Sequence, residues 1–168
     1  MMITEGMMTS LTPEWATPQE LFNALNREFS FTLDPCCTHE NAKCGKHYTK
    51  EENGLIQDWG GEVVYCNPPY GKEIKHWVRK CYEEGRRGTK VVMLIPARTD
   101  TSWFHDYIWN KADIRFIRGR LKFNDGKGQA PFPSMIVIFN GNETSTQLSR
   151  SDRAEDTPTD LFGICRQE

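Results

Sequence analysis

The segment Asn67-Pro68-Pro69-Tyr70 combines residue types that can handle an aromatic amine. Two consecutive prolines fix φ and force the residues before them into extended conformations, so the segment forms a stiff loop. Such a loop can hold the Asn67 amide oxygen and the Pro68 carbonyl as convergent acceptors for the two hydrogens of an amino group. This grip builds negative charge on a nitrogen whose lone pair is otherwise delocalised. Tyr70 supplies a flat ring on which an extruded base can stack, at about 1–3 kcal/mol per base.

Asp34 is a second polar residue in a position to contact a ligand, because it directly follows a short apolar segment, 29–33. A buried-looking segment, 62–66, leads into Asn67 in the same way. If both segments are parallel strands, their carboxyl ends lie at one edge of the sheet, beyond which such sheets bind ligands. The sequence therefore predicts that Asp34 and Asn67 share one cleft.

Helix and strand signals alternate around these two residues. Thr17, as a hydroxyl N-cap, and Pro18, at the first helical position, predict a helix. An amphipathic helix is predicted over 74–82 and a second one around 103–108. The face of the first that is opposite its apolar stripe carries Lys72, Lys75, Arg79 and Lys80. Besides 29–33 and 62–66, strands are predicted at 47–49, 91–95, 114–123 and 135–139.

This alternation predicts an α/β fold, a three-layer sandwich with a mostly parallel sheet that ends in a C-terminal β-hairpin. A chain of 168 residues corresponds to one domain, which we place at residues 11–140. Residues 1–10 are interpreted as an N-terminal tail and residues 141–168 as a polar C-terminal tail. An apolar patch at 161–164 is expected to dock onto the domain.

The composition is that of an ordinary globular protein, 38% hydrophobic and 26% charged. Apolar runs stay well short of the roughly 20 residues that a membrane span requires. Residues 1–10 lack the basic and then apolar pattern of a signal peptide. We therefore expect a cytoplasmic protein without a membrane partner, a monomer or a weak dimer.

Positive charge is concentrated in one part of a chain whose net charge is −2. Residues 72–127 contain 14 Lys and Arg against 7 Asp and Glu, so the rest of the chain is acidic. A basic face on a mildly acidic protein suits a polyanionic partner. Arg98, Arg118 and Arg120 lie at or near the ends of predicted strands and are the candidates for contacts with phosphates or bases.

Five residues have the types of zinc ligands: Cys36, Cys37, His39, Cys44 and His47. The first three lie too close together to serve cleanly as separate ligands, and they lack a separated Cys-x-x-Cys pair. The preferred interpretation is therefore reduced thiols with loop histidines and no metal.

An ordered set of short segments carries a family resemblance. The segment 63–70 is similar to motif IV of amino-methyltransferases, whose pattern is Asp/Asn/Ser-Pro-Pro-Tyr/Phe/Trp. The other segments are Trp15-Ala16-Thr17-Pro18, Leu33-Asp34-Pro35, Asn53-Gly54-Leu55, Trp59, Ile95-Pro96-Ala97-Arg98-Thr99-Asp100, Gly119-Arg120-Leu121-Lys122-Phe123 and Phe132-Pro133-Ser134. Together they cover about residues 12–140 and resemble the compact DNA N6-adenine methyltransferases of bacteriophages.

The resemblance implies a compact class I methyltransferase fold that uses S-adenosyl-L-methionine to methylate N6 of adenine in double-stranded DNA after base flipping. The catalytic loop it implies is Asn67, Pro68, Pro69 and Tyr70. The cofactor contacts it implies are Trp15, Thr17, Pro18, Asp34, Pro35 and Asn67, with Glu51, Glu52 or Asp58 as the ribose-binding acid. The expected DNA contacts are Lys72, Arg98, Arg118, Arg120 and Lys122. The sequence departs from the wider class after Asp34, where Gly-x-Gly is replaced by Cys36-Cys37-Thr38.

Two alternatives remain open at this stage. One is the same chemistry on another planar nitrogen: guanine N2 or adenine in RNA, cytosine N4, or a protein glutamine. Enzymes acting on cytosine N4 usually carry Ser where this chain has Asn67. The other alternative is a catalytically idle nucleic-acid-binding module, which the missing glycines favour. The target sequence and a role such as protection from host restriction are also open.

Overall fold

The computed structural model of the chain describes residues 15–123, 128–141 and 164–166. Its strands are β1 (Leu33–Asp34), β2 (Lys46–His47), β3 (Val63–Cys66), β4 (Lys90–Pro96), β5 (Asp113–Ile117), β6 (Ser134–Phe139) and β7 (Ile164–Arg166). They form one sheet in the order β2-β1-β3-β4-β6-β5-β7. The α-helices in the described ranges are α1 (Gln19–Phe29), α2 (Ile74–Arg86) and α3 (Ser102–Tyr107). A 3-10 turn covers Gly54–Ile56.

Strand direction determines which loops meet. Strands β1, β2, β3 and β4 run parallel to one another. Strand β6 is antiparallel to both of its neighbours, so β5 runs in the same direction as β4, and β7 runs against β5. The carboxyl ends of β1 to β5 therefore lie at one side of the sheet, which we call the carboxyl edge. Asn67, Arg98 and Arg118 all follow strands that end there.

The core lies around β4 and β6. Every residue of β6 is buried, as is every residue of β4 after Lys90. Burial of one large aliphatic side chain contributes about 1.5–3 kcal/mol, so these two strands dominate the stability of the sheet. Helix α2 buries Ile74, Trp77, Val78 and Cys81 and packs against both strands. Within the described residues, no helix is long and apolar enough to cross a membrane.

The start of α1 differs from its prediction. The helix begins at Gln19, Pro18 is its N-cap, and no side chain makes a capping bond there. Thr17 is one residue too early to act as the cap, and its hydroxyl has other partners.

The predicted strand 29–33 is also wrong over most of its length, because Phe29 still belongs to the helix. Ser30 then adopts a left-handed conformation, and the Phe31 N–H donates to Asn26 Oδ1 at 2.8 Å. These two residues close the helix, and ladder pairing as a strand begins only at Leu33.

Three further elements differ from the predictions. Strand β2 covers 46–47 instead of 47–49, and β5 ends at Ile117, since the chain turns through Gly119 at φ 78°. A connection of residues 118–133 separates β5 from β6. Residues 164–166, within the expected polar tail, form β7.

The basic face predicted for α2 is also smaller than expected. Lys80 is partly buried, and its Nζ donates to Glu84 Oε1 at 2.6 Å.

Candidate active site

Asn67 directly follows β3, and its side-chain amide is held at both ends. Its Nδ2 donates to the Trp15 carbonyl oxygen at 2.5 Å and to Thr17 Oγ1 at 3.1 Å. Its Oδ1 accepts a hydrogen bond from the Tyr70 hydroxyl at 2.8 Å. An amide oxygen has two lone pairs, so Oδ1 can accept a second hydrogen bond from a substrate.

The Tyr70 ring is only 7% exposed and packs edge-on against Phe132 and Phe123, at centroid distances of 5.5 and 6.3 Å. Its hydroxyl donates to Asn67 Oδ1 and also lies 3.1 Å from the Leu94 carbonyl oxygen. Burial raises the pKa of this hydroxyl well above its usual value, so it remains a donor. In this conformation, the predicted stacking ring lies inside an aromatic cluster and steadies Asn67.

Asp34 ends β1 and organises the loop that follows it. One carboxylate oxygen accepts from the Cys36 N–H at 3.3 Å and the other from the Lys43 N–H at 3.0 Å. Burial raises the pKa of the Asp34 carboxyl, and these two bonds oppose the increase. In place of glycine flexibility, this chain uses a carboxylate to set the path of the loop.

Asp34 and Asn67 line one cavity of about 820 Å³, as the sequence predicted for their cleft. The expected cofactor residues Trp15, Thr17, Pro35 and Glu51 also line this cavity, as do Pro68 and Pro69 of the loop. Gly54 closes one wall so tightly that a Cβ there would lie 2.0 Å from the Pro35 carbonyl oxygen. The structure thus joins the stiff loop to a space large enough for a small molecule.

Some predicted residues lie elsewhere. Among the described residues, Pro18, Glu52, Asp58 and Tyr70 are outside the cavity lining. Asp58 accepts from the Gly60 N–H at 2.9 Å, and Glu52 accepts from the Thr49 N–H at 2.8 Å, so each serves its own turn. Of the three ribose-acid candidates, Glu51 is the one that lines the cavity, and its carboxylate is also hydrogen-bonded locally, to Thr49.

The expected DNA contacts are all exposed: Lys72, Arg98, Arg118, Arg120 and Lys122. Arg98 follows β4, and Arg118 and Arg120 follow β5, so the structure brings these arginines to the carboxyl edge where Asn67 lies. Lys72 is in the turn between the Asn67 loop and α2. The exposed charges therefore flank the side of the molecule on which the loop opens.

The cysteine and histidine cluster has local partners. His39 Nδ1 and His47 Nε2 lie 2.9 Å apart in a hydrogen bond. Burial raises the pKa of the Cys37 and Cys44 thiols to about 12, which keeps both protonated at neutral pH. In the described part of the chain, no group of three or more His, Cys, Asp or Glu side chains is placed to hold a metal ion.

Tyr65 is a site residue that sequence reasoning missed. It is 1% exposed within β3, yet it lines the cavity, and its hydroxyl lies 2.6 Å from Thr17 Oγ1. The available signal was its spacing, because residues two apart on a strand point to the same face. A tyrosine two positions before Asn67 was therefore placed to act beside it.

Comparisons with known proteins identify a family for this chain. The family model for DNA N-6-adenine-methyltransferase (Dam) matches residues 7–158. The chain is 34% identical over 141 residues to the DNA N-6-adenine-methyltransferase of Escherichia phage T1, across 83% of this chain and 58% of that protein. It is 38% identical over 64 residues to YfdM of Escherichia coli (strain K12), which is named as a methyltransferase, across 34% of this chain and 70% of that protein. The chain thus spans less than two thirds of the phage T1 relative.

Proposed function

The chain belongs to the DNA N-6-adenine-methyltransferase family, and we propose that it transfers the methyl group of S-adenosyl-L-methionine to N6 of adenine in DNA. The observation that carries the proposal is that Asn67, Pro68 and Pro69 open onto the same cavity as Asp34 and Glu51. The similarity to a phage protein supports a reaction in the cytoplasm of a bacterial host.

The cavity fits the cofactor in size and in chemistry. Ligand pockets of about 300–1,000 Å³ are usual for molecules of this size, and this one measures about 820 Å³. Its aromatic and apolar lining, which includes Trp77 and Leu55, suits an adenine ring. Four acids line it, Asp34, Glu40, Glu51 and Glu73, and carboxylates suit an ammonium group and ribose hydroxyls. We assign the ribose to Glu51, because it alone of the three candidate acids lines the cavity.

When bound, S-adenosyl-L-methionine supplies an electrophilic methyl group on a positively charged sulfur. The chain's own task is to make the adenine amino group reactive. Asn67 Oδ1 and the Pro68 carbonyl oxygen accept the two N6 hydrogens, which favours a tetrahedral nitrogen and builds negative charge on it. The two prolines hold these acceptors in place, so little reorganisation is needed during the reaction.

Adenine N6 is paired and stacked in duplex DNA, so the nucleotide has to be flipped out, which costs a few kcal/mol. Basic residues at the carboxyl edge, Arg98, Arg118 and Arg120, would bind the phosphates around the target. We assign Tyr70 to the stacking of the flipped base, which requires its ring to leave the contacts with Phe123 and Phe132.

We further propose that the fold is a three-layer sandwich in which β5 and β6 serve as the C-terminal hairpin. Tyr65 packs against Phe22 of α1 at 5.1 Å, whereas its neighbour Cys66 lies close to Cys81 of α2. Because adjacent strand residues point to opposite faces, these contacts support one helix on each side of the sheet.

The decisive experiment is incubation of the protein with labelled S-adenosyl-L-methionine and duplex DNA, followed by mass spectrometry of the nucleosides. We expect label in N6-methyladenine. Parallel reactions with RNA and with protein test the other planar nitrogens, and calorimetry with the cofactor alone tests for an idle module. Label in another base, or cofactor binding without transfer to any substrate, would overturn the proposal. The Asn67→Ala protein, purified in the same way, controls for contaminating host enzymes.

A further inference from the structure

The contacts with residues 15–17 fix the orientation of the Asn67 side-chain amide. The amide could be turned by 180° with almost no change in shape, which would exchange its oxygen and its nitrogen. Tyr70 does not decide between the two orientations, because its hydroxyl can donate to the Leu94 carbonyl and then accept from an amide N–H. The Trp15 carbonyl does decide, since it only accepts and lies 2.5 Å from Nδ2. A turned amide would bring two oxygens together at that position.

The Trp15 carbonyl is held in place by its own segment. Two residues further on, Thr17 is 4% exposed, and its hydroxyl lies 2.6 Å from the Tyr65 hydroxyl. The Tyr65 ring is itself fixed between Phe22 and Phe31, at 5.1 and 5.2 Å. The hydroxyl bond thus ties residues 15–17 to β3, immediately beside the residue that they orient.

We infer that Thr17 and Tyr65 are positioning residues, whose hydroxyl pair holds the Trp15 carbonyl against Asn67 Nδ2 and so directs Asn67 Oδ1 to the target amine. The inference rests on the proposed function and adds two residues to its machinery. Neither hydroxyl touches the reacting atoms, and both act through Asn67. If the amide turns, an N–H donor faces the N6 hydrogens and only one of the two acceptors remains.

A competing role for these hydroxyls is direct contact with the cofactor, because Thr17 and Tyr65 also line the cavity. The two roles predict different kinetics. Removal of a cofactor-binding group raises the dissociation constant of S-adenosyl-L-methionine, whereas loss of orientation lowers kcat at saturating cofactor.

The variants are Thr17→Val, Thr17→Ser and Tyr65→Phe, with Tyr82→Phe on α2 as the matched control. We expect Thr17→Val and Tyr65→Phe each to lower kcat about tenfold, because small misplacements of a reacting group are costly. The cofactor dissociation constant of each variant, measured by calorimetry, should stay within about twofold of the wild-type value. This change is much smaller than the expected loss in kcat. Thr17→Ser keeps the hydroxyl and should retain activity. The double variant should be no worse than either single one, since both break the same tie.

A spectroscopic readout separates this inference from the proposed function. In 15N-labelled protein the Asn67 side-chain amide should give one pair of slowly exchanging protons, and in Tyr65→Phe faster exchange. Unchanged exchange and unchanged kcat in a folded Tyr65→Phe protein would overturn the inference while DNA methylation by the wild type continued. A weaker cofactor affinity at normal kcat would overturn it in favour of a cofactor contact. Absence of methylation by the wild type would overturn the proposed function, and the exchange measurement would still test the tie.

Discussion

The ends of β1 and β3 each carry one polar side chain into the cavity, yet the two are held in opposite ways. The carboxylate of Asp34 bonds with two N–H groups of its own loop, at residues 36 and 43. The amide of Asn67 bonds with Trp15 and Thr17, about fifty residues away in sequence, and with the Tyr70 hydroxyl. The first network is local and shapes a loop. The second joins distant segments and leaves a lone pair free for a substrate, so disturbing it should affect the reaction more than the stability.

The sharpest way to break this comparison is Asn67→Ala. The change removes one preorganised acceptor, so we expect methyl transfer to fall by about 10²-fold or more. Cofactor affinity and thermal stability should change much less. Asn23→Ala, on the exposed surface of α1, is the control. Near-normal turnover of Asn67→Ala would show that the Asn67 amide does not accept a hydrogen bond from the target amine during the reaction.

A second comparison concerns the ring and the hydroxyl of Tyr70. Base stacking is worth about 1–3 kcal/mol, so Tyr70→Ala should lower transfer roughly 10- to 100-fold. From the sequence alone, Tyr70→Phe and Tyr70→Trp are expected to be mild. Because the hydroxyl bonds with Asn67 Oδ1, we now expect up to about tenfold for Phe.

The stacking role itself is tested with 2-aminopurine at the target position, whose fluorescence rises on unstacking. The wild type should give an increase that Tyr70→Ala reduces. Equal activities of the Ala and Phe variants, with no fluorescence change on any duplex, would remove Tyr70 from base binding.

The burial of Asp34 should make the thermal stability of the protein depend on pH. Burial raises the pKa of its carboxyl above the usual 3.8, so the folded chain keeps this proton where the unfolded chain has lost it. The associated stability is complete below pH 3.8 and is lost as the pH rises through the folded pKa. The Tm of the wild type minus that of Asp34→Asn should therefore decrease with pH, at roughly 2–4 °C per kcal/mol. A difference that grows with pH would contradict the burial argument.

The arginines at the carboxyl edge can be compared with a basic residue elsewhere on the surface. Replacing Arg118 or Arg120 by Gln should flatten the salt dependence of DNA binding, by about 0.9 in the slope for each phosphate that the variant no longer neutralises. Arg79→Gln is the matched control, because Arg79 lies on α2 in an ion pair with Glu83 at 2.8 Å. Equal slopes for all three variants would mean that the arginines after β5 do not touch DNA.

We expect the smallest effect when a chelator is added, because the loop that Asp34 organises is not expected to bind zinc. Among the described residues, no group of three or more His, Cys, Asp or Glu side chains is placed to hold a metal ion. Purified protein should contain far less than one zinc per chain, and a chelator should leave its Tm unchanged. Stoichiometric zinc that is needed for folding would make the loop a metal site instead.

Sequence patterns anticipated those elements whose signals are local. The apolar run 91–95 appears within β4, and the strand before Asn67 is correct to within one residue. The prediction that Thr17 caps α1 was wrong because its hydroxyl is hydrogen-bonded to that of Tyr65, which is 48 residues away in sequence. Strand β7 was missed because three residues that pair with an existing strand need no pattern of their own. Long-range partners are what a single sequence conceals.

The sheet also ends in a characteristic way on both sides. Its outermost strands, β2 and β7, are two and three residues long. An unpaired strand edge is a template on which a second molecule can add its own strand, and short edges offer few such groups. The longest strands, β4 and β6, which are buried except for Lys90, lie inside the sheet with a strand on each side. These two apolar strands are thereby shielded from pairing with other copies of the chain.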